Sequence, residues 1–193
     1  MTDDTMAEDL LLTAGEVQAV TNTPLSTETA ASIAAMASSA IRDYCGWRIA
    51  AAASETVTLR SSGRGWLLFL PTLHLNSITS LTENGVPLTA GVDFDWDEDG
   101  ILERLGRRWA AGRRAVVVTM NHGYPECPGS IAQAIAASVA RGDLAPAGGV
   151  ASETAIGQSI VYSRMSAGGL SAGQMFVSDE LERINDHRLR SAR

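Results

Sequence analysis

The chain has no lysine. All 15 of its basic residues are arginine, whose planar fork suits protein interfaces better than an ammonium does. With the abundance of Ala and Gly, this reads as the mark of a GC-rich genome, not as chemistry. Cysteine is scarce too. Cys45 and Cys127 are the only two, and neither sits in a metal-type or redox-type pair. They read as two reduced, partly buried thiols, although spacing alone leaves a Cys45–Cys127 bridge open. Long apolar runs are missing. Trp66-Leu67-Leu68-Phe69-Leu70 falls far short of a bilayer span, so no membrane partner is expected. The start, Met1-Thr2-Asp3-Asp4, is acidic and lacks the basic opening and apolar stretch of an export signal. Nothing in it predicts export. Positive charge is in deficit as well. A net charge of −7 argues against DNA wrapped around the outside on a basic patch.

What is present favours a packed core. Apolar residues make up 45% of 193, which rules out disorder throughout. The length suits one ordinary domain with an appendage. Residues 1–54 read as N-terminal helices. Thr13-Ala14-Gly15-Glu16 is a capping box, with Leu12 and Val17 at the staple positions. A longer helix starts near Ser26 or Thr27 and ends at Gly46. Its apolar stripe is expected to be Ile33, Met36, Ala37, Ala40, Ile41 and Tyr44. The other face is Ala and Ser, hardly charged, which fits a second buried contact, for instance with a neighbouring copy.

Residues 55–124 read as a β-rich insertion. Strands are expected at Thr56–Arg60, Trp66–Leu70, Ser77–Glu83, Ile101–Arg104 and Ala115–Asn121. Asn84-Gly85 signals a hairpin and Pro87 an edge strand. Phe94 and Trp96 alternate with Asp93, Asp95 and Asp97, and Asp99-Gly100 is a second turn. Val116-Val117-Val118 suggests a strand covered on both faces. Residues 125–142 read as a helix completing the helical core. Pro128 stands in its first turn, Ile131, Ile135 and Val139 form its stripe, and Gly142 stops it. It is expected to pack on the long N-terminal helix. Residues 143–193 read as a flexible C-terminal arm. The arm holds a strand within Ile156–Ser163 and a terminal helix from Ser178, too thinly apolar to stand alone and expected to dock on something. The fold class is α+β: a small helical bundle with an inserted antiparallel β-rich module and an extended C-terminal arm.

Three patterns raise the question of chemistry. Gly169-Leu170-Ser171-Ala172-Gly173 matches the nucleophile-elbow formula, but lacks the strand before it and a supporting base. The histidines, His74, His122 and His187, show no pattern around it, and a linker is the better reading. Asp95-Trp96-Asp97-Glu98-Asp99-Gly100 opens like a calcium loop, with Glu103 at position nine. Gly106 stands where the bidentate glutamate belongs, so an acidic strand face ending in a tight turn is favoured. Arg104, Arg107, Arg108, Arg113 and Arg114 gather around Trp109. Arginine beside an aromatic binds nucleic acid by charge and stacking. Internal pairing across a hairpin with the Asp93–Asp99 strand is the favoured alternative. No catalytic residue, metal ligand or cofactor site is assigned. The C-terminal arginines face fewer acids, and an acidic protein partner is expected there.

The ordered series is informative. Ser77-Ile78-Thr79-Ser80-Leu81-Thr82-Glu83-Asn84-Gly85-Val86-Pro87-Leu88 leads to Asp93-Phe94-Asp95-Trp96, then to Gly100-Ile101-Leu102-Glu103-Arg104 and Trp109. Val116-Val117-Val118-Thr119-Met120-Asn121-His122-Gly123-Tyr124 follows, before Pro128 and an Ala/Ile helix; Ile41-Arg42-Asp43-Tyr44-Cys45-Gly46-Trp47 precedes it all. This order resembles the head-to-tail connector, or adaptor, proteins of tailed bacteriophages over about residues 10–142, and only loosely beyond. The resemblance implies a non-enzymatic virion protein of the neck, between capsid and tail, made in the bacterial host cytoplasm. It implies a homo-oligomeric ring of about twelve copies beneath the portal protein. Such a ring extends the DNA channel and docks a downstream head-completion, stopper or tail protein. Genomic DNA would pass without sequence-specific binding. A charge of −7 per copy becomes roughly −80 per ring, which lets phosphate slide. The portal or partner interface is expected in the arm, at Ile160, Tyr162, Leu181, Ile184, Arg183, Arg188 and Arg190. Deleting residues 150–193 is expected to leave a soluble core that no longer joins the portal. Two other readings remain open: a different neck or tail-completion subunit, and a calcium-dependent binding module.

Overall fold

The computed structural model describes residues 10–21, 26–144, 152–155, 158–161 and 176–189. The chain divides into a helical unit, 12–40 with 129–186, and a β unit, 41–128 with 1–11 and 187–193.

In the helical unit, α1 spans Ala14–Thr21 and α2 begins at Thr27, running to Cys45. The expected capping box closes α1. Thr13 N donates to Glu16 Oε2 at 2.7 Å, and Glu16 N donates to Thr13 Oγ1 at 3.3 Å. Leu12 and Val17 are both buried, as a hydrophobic staple requires. Ser26 caps α2, its Oγ accepting from Thr29 N at 3.1 Å. Gly46, at φ +80°, ends it, donating its N–H to Arg42 O.

The stripe α2 buries differs from the expected one. Ala30, Ala34, Ala37, Ser38, Ile41 and Cys45 are buried, while Met36 is 58% exposed. Large side chains dominated the apolar pattern, but alanines let a neighbour come closest, and the buried face is the small one. A second face, with Ala31, Ser32, Ala35 and Ser39, lies open.

The third helix, α3, spans Gly129–Leu144 and buries Ile131, Ile135 and Val139 as expected. It passes through Gly142 instead of stopping there, since one glycine near a helix end costs only about 1 kcal/mol. Its close neighbours are α1 and the terminal helix α4, Ser178–Ile184, not chiefly α2. Within the stretch expected to be a loose arm, β8 (Ser152–Ala155) and β9 (Gln158–Val161) pair as an antiparallel hairpin. The terminal helix is likewise no free appendage. Phe176, Val177 and Ile184 are buried, and Glu180 Oε2 accepts from Val177 N at 2.9 Å to close its first turn.

The β unit holds β1 (Ala53–Ser61), β2 (Leu67–Phe69), β3 (Leu75–Glu83), β4 (Val86–Pro87), β5 (Phe94–Trp96), β6 (Ile101–Arg104) and β7 (Gly112–His122). Two antiparallel sheets form, in the orders β1-β7-β3-β4 and β2-β6-β5. Asn84 and Gly85 both take positive φ, 51° and 79°, the requirement of a two-residue primed turn. Pro87 sits on the edge strand β4, where its missing N–H costs nothing.

The central strand is β7, paired on both sides. Val116, Val118, Met120 and His122 are buried on one face. The other face is only half covered, contrary to expectation. Val117, Thr119 and Asn121 lie there, and Thr119 shares a 2.9 Å hydroxyl hydrogen bond with Thr56 of β1. Both sheets feed one core of Leu70, Leu75, Leu81, Phe94, Leu102 and Trp109 with the β7 residues. Truncating Leu102, fully buried, to alanine would cost about 2–5 kcal/mol. Gly100, at φ +78°, turns the chain between β5 and β6. A Cβ there would stand 2.7 Å from the carbonyl oxygen of Thr72, so only glycine fits.

Candidate functional site

The arginine cluster divides into two groups. Arg104 is buried, and its guanidinium lies 5.8 Å from the ring centre of Trp109. Its Nη1 donates to the backbone carbonyl of Asp93 and stands 3.7 Å from Asp93 Oδ1. Its Nε stands 3.5 Å from Glu83 Oε2, within ion-pair range but outside hydrogen-bond geometry. Arg107 Nη2 donates to the same oxygen at 2.6 Å, and Ala110 N donates to Glu83 Oε1 at 2.7 Å. Glu83 is thus a buried anchor for the 104–110 segment.

Internal pairing therefore occurs, but chiefly with Glu83 of β3. Of the expected Asp93–Asp99 strand, only Asp93 takes part. The remaining arginines, Arg108, Arg113 and Arg114, are exposed without an ion pair among the described residues. So are Arg60 and Arg64.

The acidic run forms a strand and a turn. Phe94–Trp96 is β5, and Asp97 Oδ1 accepts from Ile101 N at 3.0 Å to close the turn. Among the described residues, no group of three or more His, Cys, Asp and Glu is placed to hold a metal. Asp95 stands directly opposite Glu103. Leu67 neighbours Glu103 on the other side, and Phe69 neighbours Ile101. The outward face of β2-β6-β5 thus carries two facing carboxylates beside Leu67 and Phe69, which are 46% and 57% exposed.

Nothing in the spacing of the histidines brings them together. His74 stacks on Tyr124 at 4.3 Å, His187 meets the same ring edge-on at 5.8 Å, and His122 lies 6.5 Å from Trp47. All three histidines of the chain share one aromatic cluster. His122 Nε2 lies 2.9 Å from Glu55 Oε2. A carboxylate oxygen accepts here, so Nε2 donates, and the buried Nδ1 has no hydrogen-bond partner among the described residues. The cluster packs around the C-terminal turn Asn185–His187.

Of the residues expected at a partner interface, Arg183 is exposed and Leu181 half-buried on α4. Ile184 is fully buried. Arg188 is committed internally, its guanidinium 4.8 Å from the centre of the Tyr44 ring. Ile160 lies in β9. Tyr162, Arg190 and the Gly169–Gly173 stretch lie outside the described residues. Cys45 and Cys127 are both thiols, and burial pushes the Cys45 thiol up to about 11 despite the opposing charge of Arg188.

Three solved chains share this fold over nearly its whole length. One belongs to the neck of an empty gene transfer agent (GTA) particle computed with C6 symmetry. It is 16% identical, with a TM-score of 0.58, covering 93% of this chain and 91% of that one. A second, from the virion of a native GTA particle, is 15% identical with the same score and coverage. The third, from the neck of a native GTA particle computed with C12 symmetry, is 16% identical with a TM-score of 0.54, covering 92% and 91%. At these identities the likeness is one of fold. No curated protein matches the chain in sequence. Residues 11–167 match the head completion protein family, a span that takes in α1 to α3, both sheets and the β8–β9 hairpin. The chain therefore belongs to the head completion protein family.

Proposed function

We propose that this head completion protein is a head-to-tail adaptor: a ring of copies beneath the portal that extends the DNA channel and docks the next neck or tail component. It is a structural component of the virion neck. The observation that carries the reading is the match of residues 11–167 to a family named for completing the head. The fold shared with GTA neck chains, one computed with C12 symmetry, supports a ring of twelve. A catalytic role is not part of the reading.

Portal contact is assigned to the exposed side of α4, with Arg183 and Leu181. Truncation from residue 150 is no longer a clean test, because it removes the buried Phe176, Val177 and Ile184. Imaging of the assembled particle, with this chain located relative to portal and tail, is the decisive experiment. A ring directly below the portal is expected. Density for the chain in the capsid shell or the tail tube instead would sink the reading.

A further inference from the structure

Unpaired charges of opposite sign collect at different places on the β unit. The register defines its two ends. Glu83 pairs with Val116 and Leu75 with His122, so β7 runs from a Glu83 end to a Leu75 end about 20 Å away. Arg113 and Arg114 open β7 at the Glu83 end, and Arg60 lies beside them, next to the Ser61–Gly112 pair. The loop holding Arg64 closes on the segment that follows Arg108. Trp109 N donates to Gly65 O, and a Cβ on Gly63 would stand 2.8 Å from that of Ala111. These five exposed arginines therefore share one end.

The acids lie elsewhere. Leu75 N donates to Glu98 O, which sets the turn with Asp97, Glu98 and Asp99 at the Leu75 end. Asp95 and Glu103 face each other on the outward face of the smaller sheet, beside exposed Leu67, which Glu103 opposes, and Phe69. Like charges directly opposite each other destabilise a sheet. Exposed aliphatic and aromatic side chains on the edge strand β2 leave a second unfavourable surface open. Arginine relieves both: its fork pairs with carboxylates and its stem covers apolar surface.

We propose that the arginine end of one copy seats on the acidic Leu67–Phe69 face of the next copy, forming the lateral contact of the ring. A contact between two different patches repeats head to tail, which is the geometry that closes into a ring. DNA would neutralise the arginines but leave the acidic, apolar face unused. The proposal rests on the ring reading above.

The test uses the full chain, supplied to a producer strain lacking its own copy, with necks of purified particles imaged by electron microscopy. Asp95→Arg with Glu103→Arg, or Arg113→Glu with Arg114→Glu, should each lower ring-bearing necks at least about tenfold. All four reversals in one chain should restore them towards wild type. Circular dichroism of each variant checks its fold. If a reversed chain does not fold, Asp95→Asn with Glu103→Gln replaces it and should give rings that fall apart at lower salt. Wild-type rings with normal rings in both reversal variants overturn this contact and leave the ring reading standing. Wild-type necks with no ring of this chain overturn both. Loss in Arg113→Glu/Arg114→Glu that the fourfold variant does not repair, with DNA leaking from heads, assigns the arginines to DNA and overturns the proposal.

Discussion

Trp47 Nε1 donates to the carbonyl oxygen of His187 at 2.6 Å, across 140 residues of sequence. Leu189 N donates to Cys45 O alongside it, so the chain's late turn satisfies an orphan carbonyl at the end of α2. Trp47→Phe keeps most of the ring packing and removes the donor. The expected loss is about 1–3 kcal/mol, because the His187 carbonyl is left without that partner. Urea denaturation measures it, and an unchanged midpoint would show the bond to be dispensable.

Glu83 carries a larger burden. It is the shared acceptor for Arg107 and Ala110 and the charge nearest buried Arg104. Removing one partner of a buried pair leaves the other charge uncompensated. Glu83→Gln should therefore cost about 3–5 kcal/mol, read as a lower thermal midpoint. Loss of less than 1 kcal/mol would mean that water already reaches the pair.

Glu103→Gln should act in the opposite direction on the isolated protein. It removes the repulsion with Asp95 and should raise stability by about 0.2–1 kcal/mol. Thermal melting of the isolated chain at low salt checks this. A lower midpoint would mean that Glu103 is paired in solution after all.

The two thiols should differ in reactivity. Cys45 is buried with its thiol held near 11, whereas Cys127 is half-buried. At pH 8 alkylation should modify Cys127 well before Cys45. Mass spectrometry against time resolves the order. Equal rates would show that the end of α2 opens readily.

The α1 capping box should respond to acid. Hydrogen bonds from the Thr13 backbone and hydroxyl hold the Glu16 carboxyl below its usual value of 4.5. A depressed folded value stabilises at pH above the unfolded one, and that contribution fades as pH falls through the folded value. Thr13→Ala should cost about 0.5–2 kcal/mol at neutral pH and less in acid. Denaturation at pH 7 and pH 3 compares the two, and a cost independent of pH would remove Glu16 from the account.

Local features were legible because their physics is local. Asn84-Gly85, Pro87, the Thr13–Glu16 box and Gly46 each require a particular backbone, and the residue types announce it. The adaptor resemblance rested on the order of these features and carried the family correctly. Partners set by register were not legible. Nothing near Arg104 in sequence points to Glu83, which β3 and β7 bring across the sheet. The nearest acids were the Asp93–Asp99 run, and they mostly point away. The α2 stripe was misplaced because alanine adds little to an apolar pattern yet packs closest. The terminal helix looked too poor in apolar residues to belong to a core. Phe176 and Val177, just before it, supply what it lacks.

The position of β7 has a mechanical consequence. Its ladders to β1 and β3 run side by side for most of its length. Hydrogen bonds in such ladders lie across the strands, so a pull along β7 loads many of them together instead of opening them one by one. An element tugged lengthwise would resist by shear, and would yield only when both seams give way at once.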